Sequence, residues 1–227
     1  LKVTEMVPDP QIMWVAVGDA NSDRAPLQIS QFESDRRIDS ELEKIWMEGA
    51  GGPFGEESYE LVAYALARKT DLDCLKRGKK GYLFFTADEA PYAEVNVGLI
   101  KSYIGDTPQS NLSTVEVFKE VQERFHTYLI FPRANIDGHR GDSPTILAKW
   151  KRYIPASHIL AVEDQAAVVE VMLGIMALRE HKFDLDEFIA NMKERQCSRE
   201  RCSDVRKALE LFARSGVPGQ AEADLFG

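Results

Sequence analysis

At 227 residues, 44% of them apolar, the chain can bury one sizeable core and reads as a single domain with appendages. A formal charge of −9 and a pI of about 5.1 argue against a general binder of phosphate backbones, which needs a dominant basic surface. No apolar run approaches the ~20 residues that cross a bilayer, so neither nucleic acid nor membrane is an expected partner.

From about residue 11 to residue 180 strand and helix patterns alternate, which predicts a mostly parallel sheet with crossover helices. The first strand is read over Gln11 to Asp19 and a more polar one over Leu27 to Phe32; the short link, with Asp23, Arg24 and Pro26, allows an antiparallel edge pairing. Ile38, Leu42 and Ile45 recur at helical spacing over Ile38 to Glu48. A glycine-rich turn, Glu48 to Gly55, leads to a helix over Glu57 to Thr70. The strand Gly81 to Ala87 reads as buried on both faces. Helices over Val95 to Ile104 and Thr114 to Arg124 lead to a strand at Thr127 to Phe131. Pro132 to Pro144 carries glycine, proline and charge without periodicity and reads as a long mobile loop. A helix from near Thr145 to Ile154, a strand from His158 to Val162 and an apolar helix from Gln165 to His181 close the α/β region. Beyond residues 1–181, amphipathic helices are predicted at Asp184 to Gln196 and Ser203 to Ser215, within a helical extension over 182–215. Val205, Leu209 and Phe212 give the second a packing face. Residues 216–227 read as a disordered tail.

Three cysteines, Cys74, Cys197 and Cys202, are an odd number in a chain too large to need stapling, so a reduced, cytoplasmic setting is expected. The Cys197–Cys202 spacing is too wide for a redox pair, and no histidine follows at metal-ligand spacing. His126, His139, His158 and His181 show no pairing with Ser58 or Cys74 of the kind a nucleophile requires. Ser58 lacks the glycines of a nucleophile elbow, and no phosphate-cradling glycine motif is present. Arg140-Gly-Asp142 matches the integrin-ligand tripeptide, a match that chance supplies. Met172, Met176, Trp14 and Trp46 read as core, whereas Trp150 and Tyr153 could face a partner.

The chemistry concentrates in acids at strand ends. Asp88 ends the apolar run Gly81-Tyr-Leu-Phe-Phe-Thr-Ala, and Asp19 ends Gln11 to Gly18. A parallel sheet collects its carboxyl ends along one edge, where α/β proteins bind ligands. With Glu56, Glu57 and Ser58 at the head of a helix, these resemble parts of an oxygen-ligand cation site. Against that, Asp88 could cap backbone amides, Glu57 is favoured in a first helical turn by the helix dipole, and Asp19 and Asp23 suit turn-shaping bonds.

Residues Gln11 to Ala20, Gly49 to Ala65, Tyr82 to Pro91, Thr127 to Pro132 and His158 to Leu178 together resemble the von Willebrand factor type A fold, in a bacterial intracellular branch. The resemblance implies a Rossmann-like, doubly wound α/β domain, its mostly parallel sheet bearing one antiparallel edge strand and helices on both faces. It implies a metal ion-dependent adhesion site with Asp88 and Glu57 as ligands to Mg²⁺ (or Mn²⁺ or Ca²⁺), and Asp19, Asp23, Glu56, Ser58 and Glu89 at the rim. A partner carboxylate would complete the coordination, so the expected function is a non-enzymatic interaction or scaffold module. A metal-free structural subunit of a bacterial or phage assembly and a metal-dependent hydrolase are the alternatives. The family's Asp-x-Ser-x-Ser motif, at the end of its central strand, does not occur in the chain. Either that strand lies ahead of Leu1, with Leu1 to Val7 as the tail of the first helix, or the flanking strands Gln11 to Asp19 and Gly81 to Asp88 pair directly. The former is the expectation.

Overall fold

The computed structural model describes residues 2–49, 55–133 and 143–215. The chain begins with one helical turn, α1 (Val3–Met6), and an antiparallel pair, β1 (Val15–Val17) with β2 (Leu27–Ile29). Then follow α2 (Arg37–Glu43), β3 (Glu56–Glu57), α3 (Tyr59–Lys69), α4 (Asp73–Lys76), β4 (Gly81–Thr86), β5 (Ala90–Pro91) and β6 (Glu94–Val95). Helix α5 (Val97–Leu99) runs into a π-helical turn, Ile100–Ile104, before β7 (Leu112–Ser113), α6 (Thr114–Arg124), β8 (Phe125–Pro132) and α7 (Ser143–Trp150). Strand β9 (Ile159–Val162) and helices α8 (Val168–Arg179), α9 (Leu185–Glu194) and α10 (Arg199–Arg214) complete a mixed α/β fold.

At the centre is a parallel sheet ordered β4-β8-β9. The apolar run of β8 is buried on both faces, as parallel strands require. Its side chains alternate between two layers: Leu129 and Phe131 pack with α3, α6 and α7, and Tyr128 and Ile130 pack with α8, α9 and α10. Helix α3 is buried from Tyr59 to Ala67. The density of apolar residues in Tyr-Glu-Leu-Val-Ala-Tyr-Ala-Leu-Ala leaves it no solvent face, and Arg68 and Lys69 fall at its carboxyl end, where the dipole favours cations.

Several expectations are corrected. Strand β4, read as buried on both faces, is half-buried from Gly81 to Phe84; the fully buried strand is β8. The sheet is also smaller than expected: β1–β2, β3–β5 and β6–β7 are separate two-stranded pairs rather than members of it. Trp14 and Trp46, read as core, are 38% and 49% exposed, whereas Trp150 and Tyr153, offered as partner-facing, are 0% and 6% exposed. Trp150 has three aromatic neighbours, Tyr59, Phe85 and Phe118, to pack against near the sheet, whereas Trp14 and Trp46 lie beside the two-stranded β1–β2 pair and its loops. Residues 134–142, with His139 and Arg140-Gly-Asp142, and residues 216–227 lie outside the described residues.

The carboxyl-terminal helices share the core. Val205, Leu209 and Phe212 are completely buried, and Phe212 meets Tyr128 edge-on at 5.6 Å. Helix α10 begins at Arg199 rather than Ser203 because Ser198 caps it, its Oγ accepting from the Arg201 amide at 3.1 Å; such a cap is worth ~1 kcal/mol. Helices α8 and α10 approach closely at Gly174, where an added Cβ would stand 2.5 Å from Leu209 Cδ1 and 3.1 Å from Phe188 Cε1. Gly174→Ala is therefore expected to lower stability by ~1–3 kcal/mol through overpacking, read from the midpoint of urea unfolding. An unchanged midpoint would mean that Leu209 yields freely.

Candidate acidic site at the carboxyl edge of the sheet

Three local devices bring the acids together. First, β3 pairs parallel to β5, setting Glu56 against Ala90 and Glu57 against Pro91; this holds Glu57 beside the Asp88–Glu89 turn that follows β4. Second, Ser58 joins β1 to α3: its Oγ accepts the Ala20 amide at 2.9 Å and its own amide donates to the Gly18 carbonyl at 3.2 Å. Third, the Trp150 indole Nε1 donates to the Glu89 carbonyl at 2.7 Å, fixing the β4–β5 turn to α7.

The resulting cluster is strongly acidic. Burial, followed by the charges of Glu89, Asp23, Asp19 and Asp88, pushes the Glu57 carboxyl up to about 8. Glu89 is raised by burial and then by Asp88, Asp19, Asp23 and Glu56. Asp88 itself is exposed, Asp19 is fully buried, and Asp23, Glu57 and Glu89 are half-buried. Among the described residues none of these five carboxylates forms an ion pair, whereas Glu56 is held by Lys149 at 2.8 Å. One oxygen of Glu57, Oε2, is buried with no hydrogen-bond partner.

Asp19 and Asp23 are committed largely to the turn. Asp19 Oδ1 accepts from the amide and the side-chain Nδ2 of Asn21, both at 2.9 Å, and Asp23 Oδ2 accepts the Asp19 amide at 2.8 Å. Among the described residues no three His, Cys, Asp or Glu side chains stand close enough to hold a metal ion between them. Glu57 and Asp88 thus lie on the same edge of the molecule, without a third acid converging on them as a preformed cage.

Two participants were not singled out in the sequence. Glu60 is 1% exposed, accepts the Tyr92 amide at 3.1 Å and is pushed up to about 8, chiefly by burial. The signal available was the all-round apolar composition of α3, which leaves an acid in its first turn nowhere exposed to go. Tyr92 carries a buried hydroxyl with no partner and is pushed up to about 12, first by burial, beside Asn21 and Asp19. His126 lies at the opposite edge, paired in register with Tyr82 at the start of β4, ~15–20 Å from Asp88 at about 3.3 Å per residue; His158, just ahead of β9, is level with Tyr128 in mid-sheet and packs on Tyr128 and Phe212.

Among the described residues no helix is long and apolar enough to cross a membrane. Scans against protein-family models, curated proteins and solved structures find no match to this chain.

Proposed function

We propose that the protein is a non-enzymatic interaction module, a Rossmann-like doubly wound domain similar to the von Willebrand factor type A fold, that engages a protein partner through the loops at the carboxyl edge of its sheet. Glu57 and Asp88 would hold a divalent cation, Mg²⁺ or alternatively Mn²⁺ or Ca²⁺, and an acidic group of the partner would complete its coordination. The observation that carries this reading is the unpartnered buried Oε2 of Glu57 among four further carboxylates without counter-cations. Carboxylates crowded in this way raise one another's pKa, and a hard cation is the partner that oxygen-only donors accept best. With two protein ligands the cation would keep open positions, which suits recognition of an acidic partner.

A second reading, a metal-free structural subunit, is favoured by the commitment of Asp19 and Asp23 to backbone and side-chain bonds of the turn. A hydrolase would need a base near the acids, and His126 stands at the far end of β4 and β8 while His158 is packed on Tyr128 and Phe212. Calorimetric titration with Mn²⁺ and Mg²⁺ distinguishes the readings. Binding by the wild type, weakened at least about tenfold by either Glu57→Gln or Asp88→Ala, is the expected result, about 1.4 kcal/mol for each lost ligand. Absence of binding heat, or affinity indifferent to both substitutions, would favour the metal-free subunit.

A further inference from the structure

Helices α9 and α10 hold between them a groove of about 710 Å³. Its lining is basic although the chain carries a net charge of −9. Lys193 reaches the groove from the last turn of α9. Arg199, Ser203 and Arg206 reach it from α10, where a spacing of four and then three residues sets side chains one above another on a single face. No Asp or Glu belongs to the lining. At the bottom lie Ile189, 2% exposed, and Cys202, 3% exposed, with Cys197 beside them. An apolar floor under a few polar groups, in a volume of roughly 300–1,000 Å³, is the usual form of a small-molecule site.

The cations of these two helices divide by what they face. Arg195 pairs with Glu5 at 3.5 Å, Arg201 with Asp164 and Glu170 at 3.0 Å each, and Arg214 with Glu210 at 3.0 Å. Within the groove Arg206 is held by Asp186 at 2.7 Å. Among the described residues Lys193 and Arg199 form no ion pair, and the Ser203 hydroxyl has no hydrogen-bond partner. Lys193 suits the last turn of α9, where the helix dipole favours a cation. Arg199 is differently placed: it is the first residue of α10, at the positive end of that dipole, where an anion is the favoured neighbour. Two uncompensated charges therefore front the groove. Lys193 is near enough to the floor to act on the Cys202 thiol, which burial and then Cys197 raise and Lys193 lowers.

We propose that this groove binds a small phosphate monoester, its phosphate group held by Lys193 and Arg199 and its organic part laid on Ile189 and the two cysteines. A phosphate monoester carries about −1.5 to −2 charges at pH 7, which matches two unpaired cations, whereas a single carboxylate would neutralise one. A guanidinium offers two parallel N–H donors to phosphate oxygens, and the Ser203 hydroxyl adds a neutral donor. The floor sets the other requirement. Inorganic phosphate would leave Ile189 and the cysteines facing water, so an apolar body on the ligand gains contact that the free anion lacks. None of the acids of the proposed cation site lines the groove, and the two proposals stand or fall separately.

Titration with phenyl phosphate at constant ionic strength and in EDTA, followed by amide proton–nitrogen spectra, tests it. Saturable binding with a Kd of ~1 mM or below is expected, with inorganic phosphate at least about tenfold weaker. The shifted amides should lie in residues 193–206, which carry the basic lining. Lys193→Ala and Arg199→Ala should each weaken phenyl phosphate at least about fivefold. Lys207→Ala removes an exposed cation of α10 that does not line the groove, and should leave the affinity unchanged. No saturation by ~10 mM, or inorganic phosphate bound as tightly as phenyl phosphate, overturns the proposal. So do shifts centred elsewhere in the protein, or a loss on Lys207→Ala equal to that on Arg199→Ala, which would mark general attraction to surface charge. Because the wild-type spectra locate the ligand by themselves, a variant that fails to fold leaves the outcome decided.

Discussion

Replacing Trp150 by alanine is expected to cost about 3–5 kcal/mol of stability, the range for truncating a large core aromatic. Its side chain is completely buried and packs against Tyr59 at 5.3 Å, Phe85 at 5.5 Å and Phe118 at 5.8 Å between ring centroids. Those three rings come from α3, β4 and α6, so the indole is where α7 is joined to the rest of one layer. Trp150→Phe separates packing from hydrogen bonding. It keeps most of the apolar volume but leaves the Glu89 carbonyl without the donor now at 2.7 Å, an expected loss of ~1–3 kcal/mol. Because that bond fixes the turn carrying Asp88, Trp150→Phe should also weaken Mn²⁺ binding in calorimetry without touching a proposed ligand. Urea unfolding followed by tryptophan fluorescence and far-ultraviolet circular dichroism measures the stabilities. A loss below ~1.5 kcal/mol for Trp150→Ala would mean that α7 contributes little to this core.

What the residues disclosed in advance, and what they hid, divides along physical lines. Helix α6 was legible at both ends because Thr114 to Arg124 carries strict amphipathic spacing, with Val117, Phe118 and Val121 on the buried side. Strand β8 was legible because an apolar run with no polar phase belongs inside a parallel sheet. The same rule misled for β4, whose composition is that of an interior strand although one of its sides is open: composition records what a strand is made to touch, whereas pairing depends on which other strands are at hand. The acid cluster was half legible. Asp19 and Asp88 fall where strands run out, which placed them on one edge. Glu57 was brought to them by two residues of β3 pairing with Ala90–Pro91, a long-range contact too short to leave any periodicity. Glu60 was hidden because a first-turn acid is ordinarily exposed, and only the packing of α3 on every face reverses that.

Stability should fall as pH rises from about 6.5 to about 8. Glu60, raised to about 8 chiefly by burial and only partly offset by bonds from its own amide and that of Tyr92, keeps a proton in the folded protein that the unfolded chain loses near 4.5. A raised carboxyl of this kind stabilises fully below the unfolded pKa, and that stability is lost progressively as pH climbs toward the folded value. Glu57 acts in the same direction. The histidines oppose them at lower pH. His126 is lowered to about 3 by burial, then by Arg179, Lys80 and His158, and His158 is lowered mainly by burial. For these the unfolded chain binds the proton, so stability rises with pH up to about 6.5 and the effect ends there. Above that only the carboxyl effect remains. From pH 6.5 to 8 it amounts to about 2 kcal/mol for Glu60, at 1.36 kcal/mol per pH unit. Glu60→Gln retains an oxygen to accept the Tyr92 amide, at 3.1 Å from the present carboxylate, and removes the titration. Urea midpoints measured from pH 5.5 to 8.5 should therefore decline less steeply in Glu60→Gln than in the wild type above pH 6.5. Parallel declines in the two proteins would mean that Glu60 is already ionised at neutral pH and that its burial is relieved by water.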